Sequence, residues 1–136
     1  MPFIPSLMGW GYEESEMADF LEDLAARLAG ADPVVLYIDD DPSQAIARAV
    51  DREGPAWKDW FLAKLGDYPV DPPVRDLETA HRYLQRERDV TLRLLAELPW
   101  QVIVIEQPVP PSAEGVQRLA REQLEPVLDH MMRQRP

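Results

Sequence analysis

Apolar and polar residues alternate with a helical period near the start of the chain. Over residues 15–29 the apolar side chains recur every three or four positions, and Gly30 supplies a stop. A turn at residues 31–33 leads into residues 34–38, a run without polar alternation that is typical of a strand buried on both faces. The helix would bury one face, formed by Met17, Phe20, Leu21, Leu24 and Leu28.

Two further helices are predicted after this strand. Asp41 is suited to cap the first, Pro42 to begin it and Gly54 to end it, with Ala45, Ile46, Ala49 and Val50 as its buried stripe. The second carries Trp57, Trp60, Phe61 and Leu65 at helical spacing and stops at Gly66. Residues 67–74 then form a proline-rich loop.

The second half of the chain repeats the alternation of helix and strand. The longest helix is predicted over about residues 76–98, and Pro99 ends it. Residues 101–106 form a second apolar strand, and Ser112 is placed to cap a last helix. Pro126 should kink or restart that helix near Glu125, and the tail from Arg133 should fray. The longest helix would bury Leu77, Ala80, Leu84, Thr91, Leu94, Leu95 and Leu98, and the last one Val116, Leu119, Leu124, Val127, Leu128 and Met131.

This order of elements predicts an α/β fold with two parallel strands and about five helices. A helical crossover of about sixty residues joins the strands, which is the signature of a parallel sheet. Two parallel strands do not cover so much apolar surface, since parallel sheets normally lie inside larger layered folds. We therefore expect further strands from another copy or another protein, or else a longer domain of which this is the C-terminal part. No composition shift marks a boundary, so residues 1–136 are interpreted as a single domain.

Composition narrows the possible functions. The chain has 136 residues, of which 46% are hydrophobic and 29% charged, and its formal net charge is -11. That charge repels phosphate backbones, so nucleic acid is not expected as a partner. No apolar run reaches the roughly 20 residues of a membrane span and the N-terminus lacks a basic region, so we expect a cytoplasmic protein without a membrane partner.

Familiar catalytic and metal-binding patterns are missing from the sequence. There is no cysteine, and the two histidines, His81 and His130, match no metal-ligand spacing. The acidic run Asp39, Asp40 and Asp41 follows a strand, where a cation could bind, but a helix cap with two solvated charges explains it better. Neither a catalytic residue nor a metal ligand is therefore predicted.

The stretch ADPVVLYIDDDPSQAIARAVDREG, with the helices and the strand QVIVIE that follow it, resembles the C-terminal half of P-loop nucleoside and nucleotide monophosphate kinases. The resemblance is to thymidylate-kinase-like and deoxynucleoside-kinase-like proteins and spans about residues 32–125. In that family a strand ends in an Asp-x-Asp-Pro turn, and an arginine-bearing helix, a mobile lid, a long helix, a strand and a helix follow. The resemblance implies a partial three-layer fold, with a lid-like insertion at about residues 54–76.

The chain departs from this family in lacking the phosphate-binding loop. None of its six glycines precedes a Lys-Ser or Lys-Thr pair. Phosphoryl transfer depends on the backbone, lysine and hydroxyl of that loop, so no kinase activity is expected of this chain. ATP and Mg²⁺ are implied as cofactors only if a missing N-terminal half is present.

Basic residues concentrate in the central helical part of an otherwise acidic chain. Arginines in a lid would contact nucleotide phosphates, and the candidates are Arg48, Arg52, Arg82 and Arg86. The alternative is that they are neighbours on solvated helix faces, balanced by nearby carboxylates.

Aromatic residues form a second group of candidate binding residues. Trp10 and Tyr12, flanked by Gly9 and Gly11, could stack on a nucleobase. Together with Trp57 and Trp60 they could equally form a subunit interface.

Two functions follow as hypotheses. The first is a truncated or degenerate kinase-like nucleotide-binding domain whose lid arginines contact phosphate when the missing half is present. The second is a non-enzymatic homo-oligomeric interaction module that completes its sheet by self-association.

Overall fold

A computed structural model describes residues 3–134 of the chain. Along these residues six helices and two strands follow one another, in the order α1, α2, β1, α3, α4, α5, β2, α6. Their bounds are α1 Phe3–Gly9, α2 Glu14–Arg27, β1 Val34–Asp39, α3 Pro42–Glu53, α4 Pro55–Gly66, α5 Leu77–Glu97, β2 Gln101–Glu106 and α6 Ala113–Gln134. The α/β class with two parallel strands is confirmed.

The described chain divides into two compact units that interleave along the sequence. Residues 3–31 and 41–99 form the helical unit, with α1 to α5, and residues 32–40 and 100–134 form the strand unit, with β1, β2 and α6. The interpretation of residues 1–136 as a single domain stays a prediction.

Helix α1 supplies part of the core of the helical unit, and the sequence did not predict it. Ile4 and Met8 are buried and pack with Met17 and Leu21 of α2 and with α5 residues such as Leu94. Pro5 lies in the first turn of α1, where a missing backbone N–H breaks no intrahelical hydrogen bond. The number of helices along the described residues is therefore six rather than about five.

A second cluster fills the space among α4, α5 and the loop between them. Leu65, Val74, Ala80 and Tyr83 are buried there, and Tyr68 packs against them. The region predicted as a lid-like insertion thus contains α4 and a loop that contributes Val74 to this core.

The helix starts follow the predicted caps. Asp41 accepts a hydrogen bond from the Gln44 backbone N–H at 2.9 Å, and its pKa is lowered by hydrogen bonds from Ser43 and Gln44. Ser112 Oγ accepts one from the Gly115 N–H at 3.0 Å. Helix α6 continues through Pro126 rather than restarting there, and Arg133 is still helical. The predicted fraying of the last residues falls partly on positions 135 and 136, outside the described residues.

The sheet pairs β1 with β2 in parallel. Val34 lies beside Gln101 and Asp39 beside Glu106, and the Gln107 N–H donates to the Asp39 carbonyl at 2.8 Å. Val35, Ile103 and Ile105 are buried, whereas Leu36, Ile38 and Val104 are exposed. The prediction of strands buried on both faces is therefore wrong, because in this structure each strand presents apolar side chains to solvent.

Several predicted inward positions also differ from the structure. Phe20 of α2 and Leu77 of α5 are exposed, while Tyr83 and Val90 are buried on α5. The buried stripe of α5 therefore begins at Ala80, one turn after the first leucine of the helix.

Candidate functional site

The four predicted phosphate-binding arginines lie on two helices of the helical unit. Arg48 and Arg52 are one turn apart on α3, and Arg82 and Arg86 are one turn apart on α5. Arg52 Nε lies 2.7 Å from Glu53 Oε1, and Arg82 Nη2 lies 3.7 Å from Glu78 Oε1. Arg52 and Arg82 thus have carboxylate neighbours on their own helices, as the alternative interpretation expects. Phosphate binding by the four arginines stays a prediction.

The predicted aromatic residues separate into two places. Trp57 stacks on Phe61, with ring centroids 4.9 Å apart, and Trp60 is exposed with Lys64 Nζ 5.4 Å from its ring. Trp10 follows α1 and is exposed. The aromatic side chains of α4 therefore contact other side chains of the same helix, through ring stacking and a cation–π contact.

Tyr12 and Arg86 line one cleft of the helical unit, although 74 positions separate them in the sequence. We call it the tyrosine cleft. Its volume is about 330 Å³, and its polar lining comprises Tyr12, Glu13, Glu14, Asp71, Tyr83 and Arg86. The α1–α2 connection, the start of α2, the loop before α5 and the middle of α5 supply these side chains.

Tyr83 and Asp71 are cleft residues that the sequence analysis missed. Tyr83 falls within the helical period of α5, where an aromatic residue reads as core, and Asp71 lies in a proline-rich loop without a motif. No periodic signal could connect them with Tyr12, because their proximity depends on the packing of α1 and α2 with α5.

Many large apolar side chains of the strand unit are exposed. It contains six of the eleven large hydrophobic residues that are exposed in the described chain: Leu36, Ile38, Val104, Val109, Leu128 and Met132. Helix α6 has an apolar face at helical spacing, yet none of its side chains between residues 113 and 133 is buried. An amphipathic helix normally buries this face, so the apolar surface of the strand unit is a candidate interaction surface.

Neither a metal-ligating cluster nor a membrane-spanning helix occurs among residues 3–134. No group of three or more His, Asp or Glu side chains between residues 3 and 134 is arranged to hold a metal ion. Within the same residues, no helix combines the length and the apolarity that crossing a membrane requires.

Comparisons with known proteins found no match. No family model fits the chain, and neither a curated protein nor a solved structure is significantly similar to it.

Proposed function

We propose that this protein is a non-enzymatic interaction module that self-associates through its strand unit. The observation that carries the proposal is the 22-residue helix α6, whose apolar face contains no buried side chain among residues 113–133. Most apolar side chains of this helix are half-buried, and Leu128 and Met132 are exposed. An incompletely covered apolar face is typical of an interface. A second copy would cover it.

The sheet supports the same proposal. Each strand of a two-stranded sheet uses one backbone edge for its partner and leaves the other edge without a strand in the described chain. The backbone edge of β1 in one copy could pair with the β1 edge of another around a two-fold axis, which would bring the exposed Leu36 and Ile38 side chains of the two copies together on one face of the sheet. The product would be a four-stranded sheet, a size at which sheets are commonly stable.

Charge opposes a second copy least at helix α6. The chain has a net charge of -11, which opposes the approach of two copies in general. Helix α6 differs, because Arg118, Arg121 and Arg133 nearly balance its four carboxylates. Positive and negative side chains both occur along this helix, so two antiparallel α6 helices can place an arginine of one copy opposite a carboxylate of the other.

Lysine substitutions in the strand unit test the proposal. We expect a dimer at about 50 μM, and Leu36→Lys should shift it to monomer by raising Kd at least about tenfold. Leu128→Lys in α6 should act in the same direction. Sedimentation velocity would measure both, with circular dichroism as the check that each variant is folded.

Leu77→Lys is the matched control. Leu77 is 38% exposed and Leu36 is 37% exposed, but Leu77 lies in the helical unit and should leave the dimer unchanged. A monomeric wild-type protein at this concentration, or a dimer that survives both strand-unit substitutions, would contradict the proposal.

A further inference from the structure

An apolar groove lies in the helical unit between α2 and the C-terminal end of α5. We call it the alanine groove. Its volume is about 440 Å³, and all of its lining residues belong to the helical unit. Its apolar lining includes side chains from α2, from the turn after α2 and from the end of α5: Ala18, Ala25, Ala26, Ala29, Leu94 and Leu98.

The alanine groove has a fixed floor and an accessible upper part. Leu94 is a buried lining residue that also packs in the core cluster shared with α1. Ala18 and Leu98 are half-buried, whereas Ala26 and Ala29 are exposed. A second molecule can therefore contact apolar side chains of the groove without unpacking the core.

The groove is elongated along α2. The positions from Ala18 to Ala26 correspond to about 12 Å of helix axis, and Ala29 extends the lining into the turn that follows. Alanine side chains are short, so the axis of a neighbouring helix can come close. An amphipathic helix that lays its apolar face into a groove of this kind is a recurring mode of protein recognition. The dimensions suit a helix of two to three turns.

Carboxylates lie along the alanine groove. Glu22 and Glu97 are lining residues, and Asp19 lies next to both Glu22 and Asp23 on the surface of α2. Among residues 3–134, no cation forms a salt bridge with these four carboxylates. Arg93 attracts Glu97, but its guanidinium donates its hydrogen bonds to the start of α2. The groove therefore lacks the positive charge that would balance it.

A basic helix of another protein complements this charge better than a helix of a second copy. Acidic residues equal or outnumber basic ones in α2, α3, α5 and α6. Among the described helices only α4 has a net positive charge, from Lys58 and Lys64 against Asp59, and it packs Leu65 into the core of its own unit. Two copies, each with a net charge of -11, would also repel each other.

We propose that the alanine groove binds a basic amphipathic helix of another protein. Apolar side chains of that helix would contact Ala18, Ala26 and Leu98, and its lysine or arginine side chains would lie beside Glu22 and Glu97. This interaction is separate from self-association through the strand unit, because the groove belongs wholly to the helical unit. The two proposals can therefore fail independently.

A synthetic helix would test the groove. The probe is a fluorescein-labelled peptide of about 16 residues, with leucine and alanine on one helical face and lysine on the other. Fluorescence anisotropy with the full chain should give a Kd of about 10 μM in about 100 mM NaCl. One control peptide has the same composition in an order without an apolar face, and another has glutamate in place of lysine. Each control should bind at least about tenfold more weakly.

Variants assign the binding to the alanine groove. Glu22→Lys reverses a charge of the lining and Ala26→Trp fills the groove, so each should raise the Kd about tenfold. The matched controls are Asp51→Lys on α3 and Ala96→Trp on α5, both at exposed positions outside the groove lining. They should leave the Kd within about twofold of the wild-type value. Circular dichroism would verify that each variant is folded.

Several outcomes would overturn the proposal. One is the absence of saturable binding of the lysine peptide up to about 500 μM. Equal binding of the reordered peptide, or equal losses in Glu22→Lys and Asp51→Lys, would show attraction by net charge alone. An unchanged Kd in Ala26→Trp would place the peptide elsewhere. Tighter binding of a peptide with the sequence of α6 would identify a second copy as the occupant.

Discussion

Glu87 is an acidic residue whose ionisation is strongly affected by the fold. It lies half-buried on α5, one turn after Tyr83, and burial raises its pKa from 4.5 to about 7. The native state therefore holds a proton on this carboxyl at pH values where the unfolded chain has released it.

The raised pKa of Glu87 predicts a fall in stability between about pH 4.5 and pH 7. In this window the folded state binds more protons than the unfolded state, so the free energy of unfolding decreases as pH rises. The total loss should be about 3 kcal/mol. Glu87→Gln should remove most of this slope in urea titrations followed by circular dichroism, whereas Glu97→Gln on the exposed part of α5 should keep it. A slope that persists in Glu87→Gln would show that another group is responsible.

Among single elements, the starts of α3 and α6 were predicted correctly from their capping residues. Asp41 and Ser112 each start a helix as their residue types predict, and the pKa of Asp76 is lowered by hydrogen bonds from Thr79 at the start of α5. These signals are local, because a cap involves residues at most three or four positions apart. They depend little on what the helix later packs against.

The cap of α6 is open to a direct measurement. Ser112→Ala removes the acceptor of the Gly115 N–H and should lower the free energy of unfolding by about 1 kcal/mol. Ser112→Asp supplies another capping oxygen and should retain most of the stability. Urea denaturation followed at 222 nm compares the three proteins. Equal stability of Ser112→Ala and the wild type would mean that the start of α6 is not part of the cooperative transition.

Burial was harder to predict from the sequence than element type. The bounds of the strands Val34–Asp39 and Gln101–Glu106 agree with the predicted apolar runs to within one residue. An apolar run alone, however, does not show which of its side chains are buried. Leu36 and Val104 read as core and are exposed. The tyrosine cleft could not be predicted at all, since Tyr12, Asp71 and Arg86 come together only through tertiary packing.

Charge acts on the molecule as a whole. The formal net charge of -11 gives every pair of copies a long-range repulsion. Salt screens that repulsion beyond about 10 Å at 0.1 M ionic strength, whereas the apolar contacts proposed for the strand unit are not weakened by it.

Self-association should therefore strengthen with salt. Raising NaCl from about 20 mM to about 500 mM should lower the dimer Kd several-fold, as measured by sedimentation equilibrium. Leu128→Lys under the same conditions is the control, and it should remain the weaker associator at every salt concentration. A dimer that dissociates as salt rises would instead indicate an interface dominated by ion pairs.

The interleaving of the two units also has a consequence for protein synthesis. β1 leaves the ribosome before α3, α4 and α5 are made, and β2 follows about sixty residues later. At about 5–20 residues per second, the nascent chain carries β1 for several seconds without its partner strand. Asp32 and Pro33 precede this strand, and Asp39, Asp40 and Asp41 end and follow it. Charges and prolines beside an apolar strand act as gatekeepers against aggregation. We therefore expect this acidic turn to protect the strand on the ribosome, whereas in the folded protein its Asp41 caps a helix.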